Sequence, residues 1–349
     1  MKIRKFNIKQ FIRQNVQQMK AYSSARDEFK EKAEVYIDAN ENPFENGINR
    51  YPDPYQKLVK QRLSEIKKVP SENILLGNGS DEVLDLIFRA FCEPKQDNII
   101  CTPPTYGMYK VLAGLNDIEL RNAVLKEDFS LDVEAVLSQI DEQTKLVFLC
   151  SPNNPTGNLI PRSQVKEILE KSNCLVVIDE AYIDFSEGIS WSLSLSDNPN
   201  LIVCQTLSKA WGMAAIRLGI CYASQEIIEV LNKIKPPYNI NSLTQEKALE
   251  LLKDEKGFYE NLQLILVEKE RMKLKLEQLS FVEKIYPSDA NFWLIKVDNA
   301  NKRYNQLLKK GIVVRNRTNE ALCENCLRIT IGTQLENEKL IEVLKDLKR

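Results

Sequence analysis

Leu175-Val176-Val177-Ile178-Asp179-Glu180-Ala181-Tyr182 reads as a buried strand that runs out into acidic and phenolic side chains. Its consecutive apolar residues, mostly β-branched, suit a strand covered on both faces. The same design recurs on either side of it. Lys145–Cys150 is a second apolar run and ends in Ser151-Pro152-Asn153-Asn154-Pro155-Thr156-Gly157. Leu201–Gln205 is a third and ends in Thr206-Leu207-Ser208-Lys209, while Asn98–Thr102 adds a fourth. Segments of helical period lie between or before them at Asp81–Phe91, Leu131–Ile140 and Pro161–Lys171. Strand–helix alternation of this kind predicts an α/β sheet, mostly parallel, with helices on both faces.

The pattern changes after Pro236-Pro237. A charged amphipathic stretch from about Thr244 to Leu279 predicts one long helix. Strand-like pieces follow at Phe292–Lys296, Ile312–Val314 and Leu327–Ile331, then a polar helix over Glu336–Lys348. The predicted division is a polar, basic arm (1–35), a large α/β domain (36–236) and a smaller α+β domain (237–349).

The 349 residues carry a formal net charge of −1, which gives no basic field for a nucleic acid or an anionic membrane. There is no histidine, so Ser-His-Asp and Cys-His triads and His-ligated metals are excluded. Any proton carrier must be Lys, Asp, Glu, Tyr or Cys. The first 20 residues are basic and polar without an apolar core, unlike a secretory signal, and no uncharged run reaches membrane-span length. The expected compartment is the cytoplasm. Among the eight cysteines, Cys101, Cys150, Cys204 and Cys221 read as small buried hydrophobes, and Cys323/Cys326 form a C-x-x-C without the second pair that a zinc site needs.

Ligands of open parallel sheets bind at the carboxyl ends of the strands. Successive strand ends here deliver an amide (Asn153, Asn154), a carboxylate and a phenol (Asp179, Tyr182), then a hydroxyl and an amine (Ser208, Lys209), with Arg217 following. Leu76-Gly77-Asn78-Gly79-Ser80-Asp81-Glu82 leads into a helix, with Ser80 expected as its cap and its N-terminus as a phosphate site. A carboxylate for a cationic ring nitrogen, donors for a phenolate, an amine for an aldehyde and a phosphate cradle together match pyridoxal 5′-phosphate. Taken singly, each of these motifs is an ordinary turn, helix cap or surface charge; the argument lies in their joint order.

Asn153-Asn154-Pro155-Thr156-Gly157, Asp179-Glu180-Ala181-Tyr182 and Ser208-Lys209 with Arg217 eight residues on resemble the fold type I pyridoxal-phosphate aminotransferases. Further motifs narrow the resemblance to the histidinol-phosphate aminotransferases. They are Tyr22-Ser23-Ser24-Ala25-Arg26, Asn40-Glu41-Asn42-Pro43, Arg50-Tyr51-Pro52-Asp53, Pro104-Thr105-Tyr106-Gly107-Met108-Tyr109 and Cys326-Leu327-Arg328-Ile329-Thr330-Ile331-Gly332-Thr333. The matches run from about residue 15 to 333. Trp211 and Ala215 stand where this family more often has Phe or Tyr and Gly, and Ala21 stands where Pro is common.

The resemblance implies roles for particular residues. Lys209 carries the cofactor as a Schiff base and moves the proton at Cα, and Asp179 pairs with the ring nitrogen. Asn154 and Tyr182 bond the ring oxygen, and Tyr106 stacks on the ring. Ser208, Arg217 and the amides of Ser80 and Asp81 hold the phosphate, joined by Tyr51 of a second subunit, hence a homodimer. Arg328 binds the substrate carboxylate. Arg315 with Tyr22 takes the second anionic group, with Arg317 a close competitor of Arg315, and Asn42 joins the substrate site. The implied reaction is amino transfer from L-glutamate to imidazole-acetol phosphate, giving L-histidinol phosphate. Threonine-phosphate decarboxylation and aromatic amino-acid transamination are the alternatives on the same scaffold.

Overall fold

Buried apolar runs set the central sheet. The computed structural model describes residues 6–21 and 34–347. Its strands are β1 (Ile74–Asn78), β2 (Asn98–Cys101), β3 (Glu119–Asn122), β4 (Thr144–Cys150), β5 (Leu175–Asp179), β6 (Leu201–Thr206) and β7 (Leu218–Ala223). They form one seven-stranded sheet in the order β1-β7-β6-β5-β4-β2-β3. Neighbours from β6 to β3 pair in parallel, whereas β7 runs antiparallel to both β1 and β6. Every residue of β2, β5, β6 and β7 is buried. This is the two-sided burial that continuous Val/Ile/Leu strands require, at about 1.5–3 kcal/mol for each large side chain removed from water.

The helices in chain order are α1 (Gln14–Gln18), α2 (Lys57–Lys67), α3 (Gly79–Phe91), α4 (Met108–Leu115), α5 (Val133–Ser138), α6 (Arg162–Lys171) and α7 (Gln225–Ile234). Then come α8 (Ser242–Leu251), α9 (Glu255–Leu276), α10 (Ala300–Lys309) and α11 (Gln334–Asp346). One face of the sheet packs with α2, α6 and α8, which share a core with Leu76, Val147, Val176 and Val203. The other packs with α3, α4 and α7 around Phe88, Phe91, Phe148 and Val177. The arm docks on this second face: Ile8 and Val16 are buried, the Arg13 amide donates to the Ala90 carbonyl at 3.0 Å, and Lys233 donates to the Val16 carbonyl at 2.5 Å.

A second sheet, in the order β10-β11-β9-β8, is built from β8 (Val282–Ile285), β9 (Phe292–Val297), β10 (Arg315–Asn316) and β11 (Cys326–Thr330). All its pairings are antiparallel. Its core joins α9 and α11 through Met272, Leu276, Trp293, Ile295, Leu340 and Leu344. A small cluster of Tyr182, Phe185, Ala210, Leu262, Ala290 and Phe292 joins the two sheets.

Three expectations are corrected. The stretch Thr244–Leu279 is two helices: α8 ends at Leu251, and Asp254 caps α9 by accepting from the Gly257 amide at 2.9 Å. Ala248 and Leu252 belong to the core beneath the large sheet, whereas Met272 and Leu276 belong to that of the second, so the chain turns between them. Ile312–Val314 is not a strand; pairing begins at Arg315. Ser80 is not the cap of α3. The helix opens at Gly79, and Glu82 reaches back to accept from the Asn78 amide at 2.6 Å. All eight cysteines are free and buried, including Cys323 and Cys326. Among the described residues no cluster of metal-ligating groups occurs, and no helix is long and apolar enough to cross a membrane.

Candidate active site

The carboxyl ends of β1, β2, β4, β5 and β6 lie on one edge of the sheet, and the reversed β7 starts there. This direction of travel is what gathers residues far apart in sequence. Asp179 closes β5 and is buried. Its Oδ2 accepts from the Tyr109 hydroxyl at 2.8 Å and its Oδ1 from the Ala181 amide at 3.1 Å. Burial is the main cause that raises its pKa from 3.8 to about 6, and the two hydrogen bonds oppose that. The neighbouring Glu180 is equally buried but is used up structurally, accepting from Ser190, the Trp191 amide and Gln205.

Lys209 lies just beyond β6, its ammonium nitrogen 5.7 Å from the Tyr182 ring centroid. The residue is open to solvent, yet the protein around its amine pushes the pKa down, and Arg328 adds to this. Lys209 is thereby closer to the free amine than a surface lysine. Tyr182 is buried, and desolvation raises its phenol to about 12.

After β4 the two asparagines separate by function. Asn153 is locked in the loop, accepting from Thr105 at 2.9 Å and donating to the Pro104 carbonyl and Thr156 at 2.8 and 2.7 Å. Asn154 faces the second sheet, where its Oδ1 accepts from Arg328. Arg328 sits opposite Arg315 in the β10–β11 register. Burial holds the Arg328 guanidinium below its ordinary range, with the nearby Arg317 and Arg315 contributing, and its Nε has no hydrogen-bond partner. A buried, unpartnered guanidinium nitrogen fits an anionic ligand. Arg315 is exposed, whereas Arg317 is half-buried, pairs with Glu320 at 3.4 Å and also has an unpartnered Nε.

The turn from β1 into α3 and the start of β7 make a cradle. Gly79 has φ +73°, and a Cβ there would lie 2.6 Å from an Arg217 guanidinium nitrogen. The Gly79 amide donates to the Arg217 carbonyl at 2.8 Å. Arg217 thus lies against the first turn of α3, 3.7 Å from Asp81. The Ser80 and Asp81 amides belong to that turn, where helix amides lack internal partners and favour an anion. Thr206 donates to the Ser208 hydroxyl at 3.0 Å, leaving the Ser208 proton for another acceptor. Tyr106 donates to Asp81 at 2.9 Å and meets the Tyr109 ring edge-on.

Two predicted residues stand apart from this group. The exposed Tyr51 ring stacks on Tyr238 at 4.6 Å, and Asn42 is exposed with its side chain accepting from the Phe44 amide at 3.0 Å. Tyr22 lies outside the described residues. Tyr109, part of the Pro104–Tyr109 motif, has no role assigned to it from the sequence, because a tyrosine in the first turn of α4 looks like ordinary core. Trp211 is accommodated by stacking on Phe258 of α9 at 3.9 Å.

The donor set fits pyridoxal 5′-phosphate group for group: a buried carboxylate, an amine of lowered pKa, an amide and a phenol, and an amide-and-guanidinium cradle. The family model described as aminotransferase class I and II matches residues 22–344. The histidinol-phosphate aminotransferase of Christiangramia forsetii is 60% identical, with 98% of each chain covered. The histidinol-phosphate aminotransferase structure from Clostridium acetobutylicum superposes with a TM-score of 0.78 at 27% identity, over 85% of this chain and 90% of that one. The Sinorhizobium meliloti enzyme, solved in complex with pyridoxal-5′-phosphate, shares the fold with a TM-score of 0.78 at 24% identity, over 86% of this chain and 84% of its own. The chain belongs to the class I and II aminotransferases, which work with pyridoxal 5′-phosphate, and among them to the histidinol-phosphate aminotransferases.

Proposed function

We propose that this chain moves the amino group of L-glutamate to imidazole-acetol phosphate, forming 2-oxoglutarate and L-histidinol phosphate, as a cytoplasmic homodimer in L-histidine biosynthesis. The observation that carries the reading is the convergence of Lys209, Asp179, the Gly79–Arg217 cradle and the unpartnered Arg328 at one sheet edge. When bound, the cofactor supplies an electron sink for the substrate's Cα. The chain's residues do the rest. Asp179 holds a carboxylate against the ring nitrogen and keeps it protonated. Asn154 and Tyr182 bond the ring oxygen, and Tyr106 covers one ring face. Ser208, Arg217 and the Ser80 and Asp81 amides hold the phosphate.

Lys209, with its lowered pKa, takes the proton from Cα and returns it. Arg328 grips the α-carboxylate of L-glutamate with its planar fork, and the phosphate that stands in its place in L-histidinol phosphate. Arg315 and Tyr22 receive the far end of each substrate, the side-chain carboxylate of L-glutamate or the imidazole end of the phosphorylated one; Asn42 and Tyr51 complete the site at the subunit boundary. Exposed apolar residues on one segment, Val35, Ile37, Phe44, Ile48, Tyr51 and Tyr55, support a second copy covering it. We read the chain as an arm (1–35), a large domain (36–236) and a small domain (237–349), with the linking α8 packed on the large-domain side.

Steady-state assays test the reaction. Formation of 2-oxoglutarate from L-glutamate should require the phosphorylated keto acceptor. The dephosphorylated analogue should lose roughly 10³-fold in kcat/KM, because it leaves the desolvated Arg328 guanidinium unpaired. Carbon dioxide release from L-threonine phosphate, or equal turnover of an aromatic keto acid, would refute it.

A further inference from the structure

Tyr109 is 1% exposed, and its ring stacks on Phe148 at 4.8 Å. A phenylalanine would fill that space equally well. A buried hydroxyl is costly without a partner, and this one is spent on the Asp179 carboxylate at 2.8 Å. The bond is one of two that the carboxylate accepts, the other coming from the Ala181 amide. Together they orient the carboxylate plane and stabilise its charge. The same ring stands edge-on to Tyr106 at 5.7 Å, so α4 sets both the carboxylate and a side chain of the ring-binding face. We propose that Tyr109 is a positioning residue for cofactor binding, which acts through Asp179 by holding that carboxylate ionised and aimed at the ring nitrogen. The inference rests on the assignment of Asp179 to the cofactor.

Asp179 is surrounded by ionisable groups on every packed element. Tyr109 reaches it from α4, Cys150 from β4, Cys204 from β6 and Asp81 from α3; Lys209, Tyr106 and Tyr182 reach it from the rim. Asp81 opposes its ionisation and Lys209 favours it, while burial raises its pKa to about 6 in the cofactor-free protein. Binding of a cationic ring nitrogen requires the ionised carboxylate. Cofactor affinity should therefore fall as pH drops through this range, and loss of the Tyr109 hydroxyl should move that fall to higher pH.

The test is equilibrium binding of pyridoxal 5′-phosphate to the cofactor-free full chain from pH 5 to 8.5, by quenching of protein fluorescence. Native protein, Tyr109→Phe and Asp179→Asn are compared, with thermal unfolding as the check on folding. Tyr109→Phe should shift the acid limb upward by about one pH unit, so that affinity falls roughly fivefold at pH 6 and nearly tenfold at pH 5 but stays within about twofold at pH 8.5. Asp179→Asn should abolish the limb. A role in packing alone would instead weaken binding equally at all pH values, or not at all, and either result overturns the proposal. If Asp179→Asn keeps the native limb, the assignment of Asp179 itself falls, and the proposal with it. None of these readouts involves a substrate, so they stay independent of which amino group is transferred.

Discussion

Asp179 and Arg328 show how much of this site depends on single buried charges. The buried carboxylate has its pKa raised from 3.8 to about 6. A carboxyl that binds its proton more tightly when folded favours folding below about pH 4, and this contribution is lost as pH rises through about 6. Above that, ionising it costs the cofactor-free protein about 3 kcal/mol. Asp179→Asn should therefore stabilise the cofactor-free protein at pH 8 and leave it unchanged at pH 4, as read by urea unfolding at the two pH values. Arg328 has the converse problem of a cation awaiting its anion. Arg328→Ala should keep the cofactor but lower kcat/KM for both substrates by about 10²-fold or more, since one charge-assisted fork is lost from each. A loss confined to one substrate would show that the clamp does not serve both the carboxylate of L-glutamate and the phosphate of L-histidinol phosphate.

Residue-scale legibility followed chemistry rather than position. Lys209 and Asp179 could be read from the sequence because each ends or follows an apolar strand, where a polar group is conspicuous, and Arg217 by its spacing of eight residues from Lys209. Tyr109 could not, because a tyrosine in the first turn of a short apolar helix reads as core. Only the fold reveals that its hydroxyl meets a carboxylate 70 positions away. The choice between Asn153 and Asn154 likewise came from the resemblance, and the hydrogen bonds now show what separates the two: Thr105, Pro104 and Thr156 hold the first in the loop, while the second meets Arg328.

At the scale of elements, the two-sided apolar strands were visible in advance and the ones that break the rule were not. β3 is a half-exposed edge strand with the mixed sequence Glu119-Leu120-Arg121-Asn122. β7 follows a tight turn at Arg217, which adopts φ +54°, and runs against its neighbours. Strand propensity carries no direction, so an antiparallel member of a parallel sheet is invisible until it pairs. The break between α8 and α9 was missed because the amphipathic spacing continues across it, although Asp254 carries a cap signal. The loop after β4 gives an element-scale prediction. Gly157 has φ +87°, and a Cβ there would lie 3.1 Å from the Ser288 Cα. Its carbonyl accepts from the Asp289 amide at 2.7 Å, tying the loop to the second sheet's domain. Gly157→Ala should destabilise the protein by about 2 kcal/mol, measured by urea unfolding, because the backbone is strained and the loop is pushed away.

At the scale of the whole molecule, the site is assembled from both sheets, and its proposed completion comes from a second copy. The large sheet supplies Lys209 and Asp179, the small one Arg328, and the Tyr182–Phe292 contact at 5.3 Å lies where they meet. Tyr51 stands apart from that group in a single chain. If it acts across subunits, mixed dimers of Lys209→Ala and Tyr51→Ala should regain one intact site and recover activity that neither variant shows alone. Mixtures that stay at the level of the parents would place Tyr51 in its own subunit's site.

The central claim is that this one rim transfers an amino group to and from a phosphorylated imidazole substrate. The most direct measurement adds L-histidinol phosphate to cofactor-loaded protein without any acceptor and follows the visible absorption band and the product together. The account predicts that the band disappears while one equivalent of imidazole-acetol phosphate forms per site, and that 2-oxoglutarate restores the band with release of L-glutamate. A band that forms with the cofactor but is left unmoved by L-histidinol phosphate would contradict it.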